Sequence, residues 1–196
     1  MSQQVTAIPE YIDDLPNVSG SEAFIDARIQ AAASTSPYAG DSTINFAQTR
    51  AAFAIALHQH QPLIPARGDL TQTPLISNLK DMMDHPDEGD NHNAAVFKWC
   101  YERMGDFIPE LVSQGKQPRC MLEYSGTLFH GLRTMGCSDV IEKLQGITCN
   151  PDYRHCVEWL GMPWGHAVAP STPVQDYRLH VKAFQHHFAG IFGMEA

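Results

Sequence analysis

Two histidines one residue apart, in His58-Gln59-His60-Gln61-Pro62, are the side chains of this chain best placed by type and spacing to do chemistry. In extended backbone, residues two apart point to the same side, so both imidazoles can face one pocket. A neutral imidazole offers one donor and one acceptor, which suits hydroxyl-rich ligands, and the same ring also ligates metals. A zinc ion needs at least one further protein ligand. His166 or Glu123 can supply it, so hydrogen bonding to a polyhydroxylated substrate and metal binding both stay open at this point.

The remaining candidates lie around short apolar segments. Glu123 ends Cys120–Tyr124, where it can hydrogen-bond a substrate or hold a histidine, and Gln61 follows the paired histidines directly. Trp164 and His166 share the bend Pro163-Trp164-Gly165-His166; the indole either stacks on the apolar face of a pyranose or pins the bend from the core. Glu158, in the middle of CVEWL, reads as paired within a sheet, because buried carboxylates need partners. His180, His186 and His187 read as surface or packing residues on a final helix, and the acidic run Asp84 to Asp90 as a solvated loop.

These residues need elements to position them. Ala51 to Leu57 (AAFAIAL) is a continuous apolar run of strand length, the pattern of a strand buried on both faces in a parallel sheet. Residues 65 to 92 read as a long loop carrying a helical turn around Leu75 to Met83. From Ala94, the spacing Val96, Cys100, Met104, Phe107, Leu111 predicts a helix ending at Gly115, a natural cap. CMLEY is a second strand, broken by Ser125-Gly126; Thr127 to Met135 and Ser138 to Leu144 are helical pieces; Cys156 to Leu160 is a third strand. The last helix is marked by a T-x-x-Q capping box, Thr172 to Gln175, with Pro173 in the first turn. Val174, Tyr177, Val181, Phe184, Phe188 and Ile191 form its apolar stripe. The alternation is that of an α/β protein with a parallel sheet, whose ligands gather at the carboxyl ends of the strands.

Composition bounds the function. The 196 residues carry a net charge of -9, with 43% hydrophobic and 18% charged residues, which is ordinary globular usage. An acidic chain lacks the clustered Lys and Arg that track phosphates, so no nucleic-acid partner is expected. No apolar stretch reaches membrane-spanning length and Met1 to Leu15 resembles no secretory signal, so the reading is a cytoplasmic protein without a membrane partner. The five cysteines form no C-x-x-C pair and read as buried free thiols. Residues 1–48, with a helical-looking piece at Ser21 to Ala33, read as a poorly structured arm before the domain of residues 49–196.

LHQHQPLIPA resembles the first signature of glycoside hydrolase family 57, and VEWLGMPWGHAVAPSTPVQDYRLHVKAFQHHF is similar to the second, in which E-x-x-G leads to an aromatic turn, a His or Glu, and a helix. MLEYSGTL between them is similar to a stretch of bacterial members. The resemblance covers residues 51–196. It implies a TIM-like (β/α)7 barrel, here as about three β/α units in an open parallel sheet, acting on an α-glucan or maltooligosaccharide by hydrolysis or glucan transfer. It implies retention at the anomeric carbon, which requires two carboxyl groups about 5–5.5 Å apart. The family's nucleophile and acid belong to third and fourth signatures that the chain lacks, so no catalytic residue is carried over, Glu195 included. His58 and His60 carry over as sugar-binding residues, with His166 at the second signature's His/Glu position; Trp164, Gln61 and Glu123 stand beside them. Leu63 stands where many members have an aromatic residue, and Pro163-Trp164-Gly165 replaces a more variable turn. No cofactor is expected. Two alternatives remain: a metal-dependent amidohydrolase-like enzyme using His58 and His60, and an inactive glucan-binding fragment that self-associates through unpaired sheet edges.

Overall fold

In the computed structural model, which describes residues 47–193 together with residues 11–12, 15–16, 23, 26–27, 30–31 and 45, strands and helices alternate in the order the apolar runs suggest. Most of the expected arm over residues 1–48, and Glu195, lie outside the described residues. Within it β1 (Tyr11–Ile12) pairs antiparallel with β2 (Leu15–Pro16), and Asp26, in a helical segment, accepts from Lys182 at 2.9 Å. Then come β3 (Ala56–Gln59), the hairpin strands β4 (Leu63–Pro65) and β5 (Leu75–Ser77), and helices α1 (Asn78–Asp84) and α2 (Ala94–Ser113). β6 (Cys120–Tyr124) leads to α3 (Gly126–Thr134) and α4 (Ser138–Thr148), and β7 (Val157–Trp159) to α5 (Val174–Phe192).

β3, β6 and β7 form a parallel sheet in that order, with Leu57 beside Leu122, Leu122 beside Trp159, and His58 beside Glu123. Alternate residues of a strand face opposite ways. Leu57, Leu122, Tyr124 and Trp159 join the core with Leu128, Leu144 and Phe192 of the helices, so the helices cover one sheet face. The other face carries Ala56, His58, Met121, Glu123 and Glu158, none of them buried. The fold is therefore α/β with an open parallel sheet of three strands; among the described residues it does not close. Among them, too, no helix is long and apolar enough to cross a membrane.

One-sided cover corrects the reading of AAFAIAL. The strand begins only at Ala56, and the residues before it are exposed, Phe53 by 89%. A strand buried on both faces needs a layer on each, and β3 has a helical layer on one face and a strand neighbour on one side among the described residues. The expected long loop begins as one arm of a hairpin, since Leu63–Pro65 pairs antiparallel with Leu75–Ser77 across the Pro- and Gly-containing connection.

The buried face of α2 also differs from the expected one. Of the expected stripe Val96, Phe107 and Leu111 are exposed and Met104 packs on the core, whereas Ala94, Tyr101 and Ile108 are buried and Phe97 and Val112 pack beside them. Both stripes are apolar at helical spacing, and the neighbours choose between them. The end of α2 follows expectation: Gly115 (φ 74) lets its own amide donate to Val112 O and that of Lys116 to Leu111 O, the paired bonds of a Schellman cap. The capping box of α5 does not form. The Thr172 hydroxyl donates to Val168 O at 2.8 Å, and Pro173 takes the cap position without a side-chain bond. Hydroxyls near a turn are readily captured by local carbonyls. The α5 stripe is buried only in its second half, at Phe184 and Ile191, while Val174 and Val181 are exposed. All five cysteines are free, but only Cys156 is buried and Cys149 is exposed.

The choice of face on α2 is directly measurable. Ile108→Ala removes a side chain that is 2% exposed and is expected to destabilise by about 2–4 kcal/mol. Val96→Ala, on the stripe first read from the sequence and 52% exposed, should stay within about 0.5 kcal/mol of the parent. Urea unfolding followed by circular dichroism distinguishes them; the reverse ranking would restore the stripe first read from the sequence.

Candidate functional site

The carboxyl end of the sheet gathers three imidazoles. His58, the third residue of β3, sits beside Glu123 in the parallel register, and its Nδ1 hydrogen-bonds to the Glu123 carboxylate. Its Nε2 lies 3.1 Å from Nε2 of His166, which is 108 residues further along the chain. His60, just beyond the strand, stacks on His166 with ring centroids 4.2 Å apart, and its Nδ1 lies 2.9 Å from Ser125 Oγ. Ser125 also caps α3 through Leu128 N, and its own amide donates to Gln59 O. One residue therefore ties the histidine strand to its neighbour and orients His60. The cleft stays open to water, with the His58 side chain 49% exposed and that of Glu123 26%.

Protons in this cluster are constrained. A carboxylate only accepts, so His58 donates from Nδ1. Two ring nitrogens in hydrogen-bond contact hold one proton between them. With both rings neutral, His58 accepts at Nε2, His166 donates from Nε2, and Nδ1 of His166 is left as an acceptor. His60 is held neutral: burial first, and then the neighbouring His166 and His58, depress its pKa from 6.5 to about 4.

The bend bearing His166 is fastened from several directions. His166 N donates to Pro163 O at 2.9 Å, closing a tight turn, and His166 has φ 59, the one positive-φ residue other than glycine among the described residues. That left-handed conformation costs an L-residue roughly 1–2 kcal/mol. Trp164 N donates to His180 O at 3.1 Å, Gly165 N to His180 Nδ1 at 3.1 Å, and the indole Nε1 to His187 Nδ1 at 2.8 Å. Thr127 N donates to Trp164 O at 3.2 Å. The indole also lies against Gly126, where an added Cβ would sit 2.0 Å from the ring, so no side chain fits there. The geometry is that of the tryptophan that pins the bend. His187 is 1% exposed, and burial, followed by His130 and Arg133, lowers its pKa from 6.5 to about 3. It is therefore a neutral acceptor.

Gln61 is buried, with both ends of its amide engaged: it donates to Tyr101 Oη at 2.8 Å and accepts from Asn78 Nδ2 at 3.0 Å. Its place is beneath the cleft, locking the exit of β3 to α1 and α2. Glu158 is exposed on β7. Among the described residues no three His, Cys, Asp or Glu side chains are disposed to hold a metal ion.

Sequence reasoning brought His58, His60, His166 and Glu123 to one place and missed three supporting residues, Ser125, His180 and His187. A signal for the last two existed. His180, Phe184, His187 and Ile191 recur at steps of four, three and four, one stripe of α5; the surface-or-packing reading holds for His187 as packing, and what it missed is the bonding of His180 and His187 to the bend. His186, also read as surface or packing, is 3% exposed and faces Asp26 at 3.5 Å.

Residues 54–196 match the family model described as glycosyl hydrolase family 57. No curated protein and no solved structure gives a significant match.

Two stability outcomes follow from this geometry. The folded-state pKa values of His60 and His187, about 4 and about 3, lie below the ordinary 6.5, so between these limits the unfolded chain binds more protons. Their contribution is complete above about pH 6.5 and is lost as pH falls toward 4 and below. Urea midpoints should drop from pH 7.5 to pH 5, and flat midpoints would contradict the buried neutral state. Separately, His166→Val, which tolerates positive φ poorly, should destabilise by about 1–2 kcal/mol, while His166→Gly should not, as read by thermal melts.

Proposed function

Because the chain belongs to glycosyl hydrolase family 57, we propose that it acts in α-glucan processing, by hydrolysis or glucan transfer, and that His60 and His166 bind hydroxyls of the glucan at the open end of the sheet while His58 holds the His166 ring in place. The family carries glycoside hydrolase or transferase activity on carbohydrates. The observation that carries the reading is the contact between His58 of β3 and His166 of the bend after β7, 3.1 Å apart. It supports a common cleft.

The proposed chemistry uses neutral rings. A sugar hydroxyl both donates and accepts, so an imidazole presenting either function can pair with it without placing a charge in the cleft. Glu123 fixes the tautomer of His58, His58 Nε2 accepts a hydrogen bond from His166 Nε2–H, and Nδ1 of His166 is left to the ligand as an acceptor. His60, anchored at Nδ1 by Ser125, offers Nε2. Glu123 is engaged by His58, and neither it nor Glu158 is assigned to bond cleavage. Gln61 supports the cleft in place of touching sugar, since both ends of its amide are paired, and Trp164 supports it with its ring against Gly126 and its N–H on His187.

Isothermal titration of the chain with maltoheptaose tests the assignment. A hydrogen bond contributes about 0.5–1.5 kcal/mol net, so His58→Ala and His166→Ala should each weaken binding up to about tenfold, with the circular dichroism spectrum unchanged. Equal affinity in parent and both variants would remove the histidines from the site. Stoichiometric zinc in the purified parent would replace the sugar reading with a metal one.

A further inference from the structure

The bend that carries His166 has no partner of its own in the sheet. It follows β7 and runs over the first turn of α3 to meet α5. Four polar groups of Trp164 and Gly165 are hydrogen-bonded to neighbouring helices there: the two backbone amides, the indole N–H and the Trp164 carbonyl. Three of the four are taken by histidines of α5, through His180 O, His180 Nδ1 and His187 Nδ1, at 2.8–3.1 Å. Only the carbonyl goes elsewhere, to Thr127 N.

We infer that His180 and His187 are positioning residues for His166, and that α5 thereby sets the sugar-contacting geometry of a cleft that neither residue touches. His180 grips consecutive amides with two atoms of one residue, its carbonyl and its ring, which fixes the peptide plane between Trp164 and Gly165. The grip is close: a Cβ on Gly165 would sit 2.8 Å from His180 Cε1. With Trp164 and Gly165 fixed and His166 N bonded back to Pro163 O, the backbone leaves the turn at His166 in the left-handed region. Such strain persists only where the surroundings over-determine the conformation.

Histidine suits this task physically. A leucine at either position would fill space but leave an indole or amide N–H unpaired, a loss of about 1–3 kcal/mol when buried. A charged side chain would have to be desolvated. A neutral imidazole packs nearly as an aromatic ring and still accepts. Burial keeps His187 in that neutral form. His180 and His187 thus stand one heptad apart on the stripe that also buries Phe184 and Ile191, so the helix presents hydrophobic anchors and acceptors along one line.

The ligand arm of the test rests on the glucan reading, and the spectroscopic arm does not. Chain labelled with 15N-histidine is compared with His187→Phe and His180→Phe, which keep a ring and remove the acceptor, and with His187→Asn and His180→Asn, which restore an acceptor near Nδ1. The Phe variants should move the His58 ring-nitrogen signals toward those of His166→Ala, and the His166 signals toward those of His58→Ala, in each of which the pair is broken, and weaken maltoheptaose binding by about tenfold. The Asn variants should recover at least half of each effect. Unmoved His58 and His166 signals in folded Phe variants would overturn the inference, as would Asn variants no better than Phe, which would mean a space-filling role. If a Phe variant does not fold, Trp164→Phe, which deletes only the indole donor and part of the ring, is read the same way. Should the parent bind no maltoheptaose, the glucan reading fails while the ring-nitrogen signals still decide the clamp.

Discussion

Two ring nitrogens 3.1 Å apart can share a single proton, and that constraint at His58 and His166 orders the rest of the cleft. It demands that one ring accept. Glu123 decides which, because a carboxylate beside Nδ1 of His58 accepts that ring's proton contact and leaves Nε2 to receive. The parallel register between β3 and β6, which sets His58 beside Glu123, is therefore part of the chemistry as well as of the fold. A one-residue slip would turn Glu123 to the helical side and take away the group that fixes the tautomer.

The sheet makes this arrangement possible by being covered on one face. Leu57, Leu122, Tyr124 and Trp159 supply the apolar burial, and the residues between them, His58 and Glu123 included, are left on the open face. Desolvation then falls unevenly over the three imidazoles. His58 is half exposed, whereas His60, tucked under His166 and against Ser125, is depressed to about 4. A cleft of this kind keeps His60 neutral near neutral pH, engages its carboxylate with His58 and stays wet at its mouth, an environment suited to ligands rich in hydroxyls.

Beneath the cleft, polar side chains act as structural couplers. Gln61 joins α1 to α2 below β3, Ser125 joins the histidine strand to α3, and His180 and His187 join the His166 bend to α5. Each bonds to the protein, as does His58 through both ring nitrogens, so the imidazole groups left over for a ligand in the cleft are those of His60 and His166. Buried polar networks of this sort specify one geometry because an unmade bond in a dry site is costly.

Local patterns were enough to place β6, the helix ending at Gly115, the histidine pair at a strand tip and the Pro163–His166 bend, because each is written in adjacent residues: an apolar run, a glycine stop, period-two spacing, a turn-forming triplet. The family model matching residues 54–196 agrees with the two signatures read there. What adjacent residues could not decide was competition. α2 carries two apolar stripes, and only the packing of its neighbours selects the one with Tyr101 and Ile108. Thr172 could cap α5 or bond Val168 O, and the fold of the preceding turn chose the second. Trp164 could face a ligand or the interior, and a glycine at 126 with an acceptor at His187 drew it inward. In each case the sequence offers two local minima of similar energy, and long-range contacts, which exist only once the chain has folded, separate them.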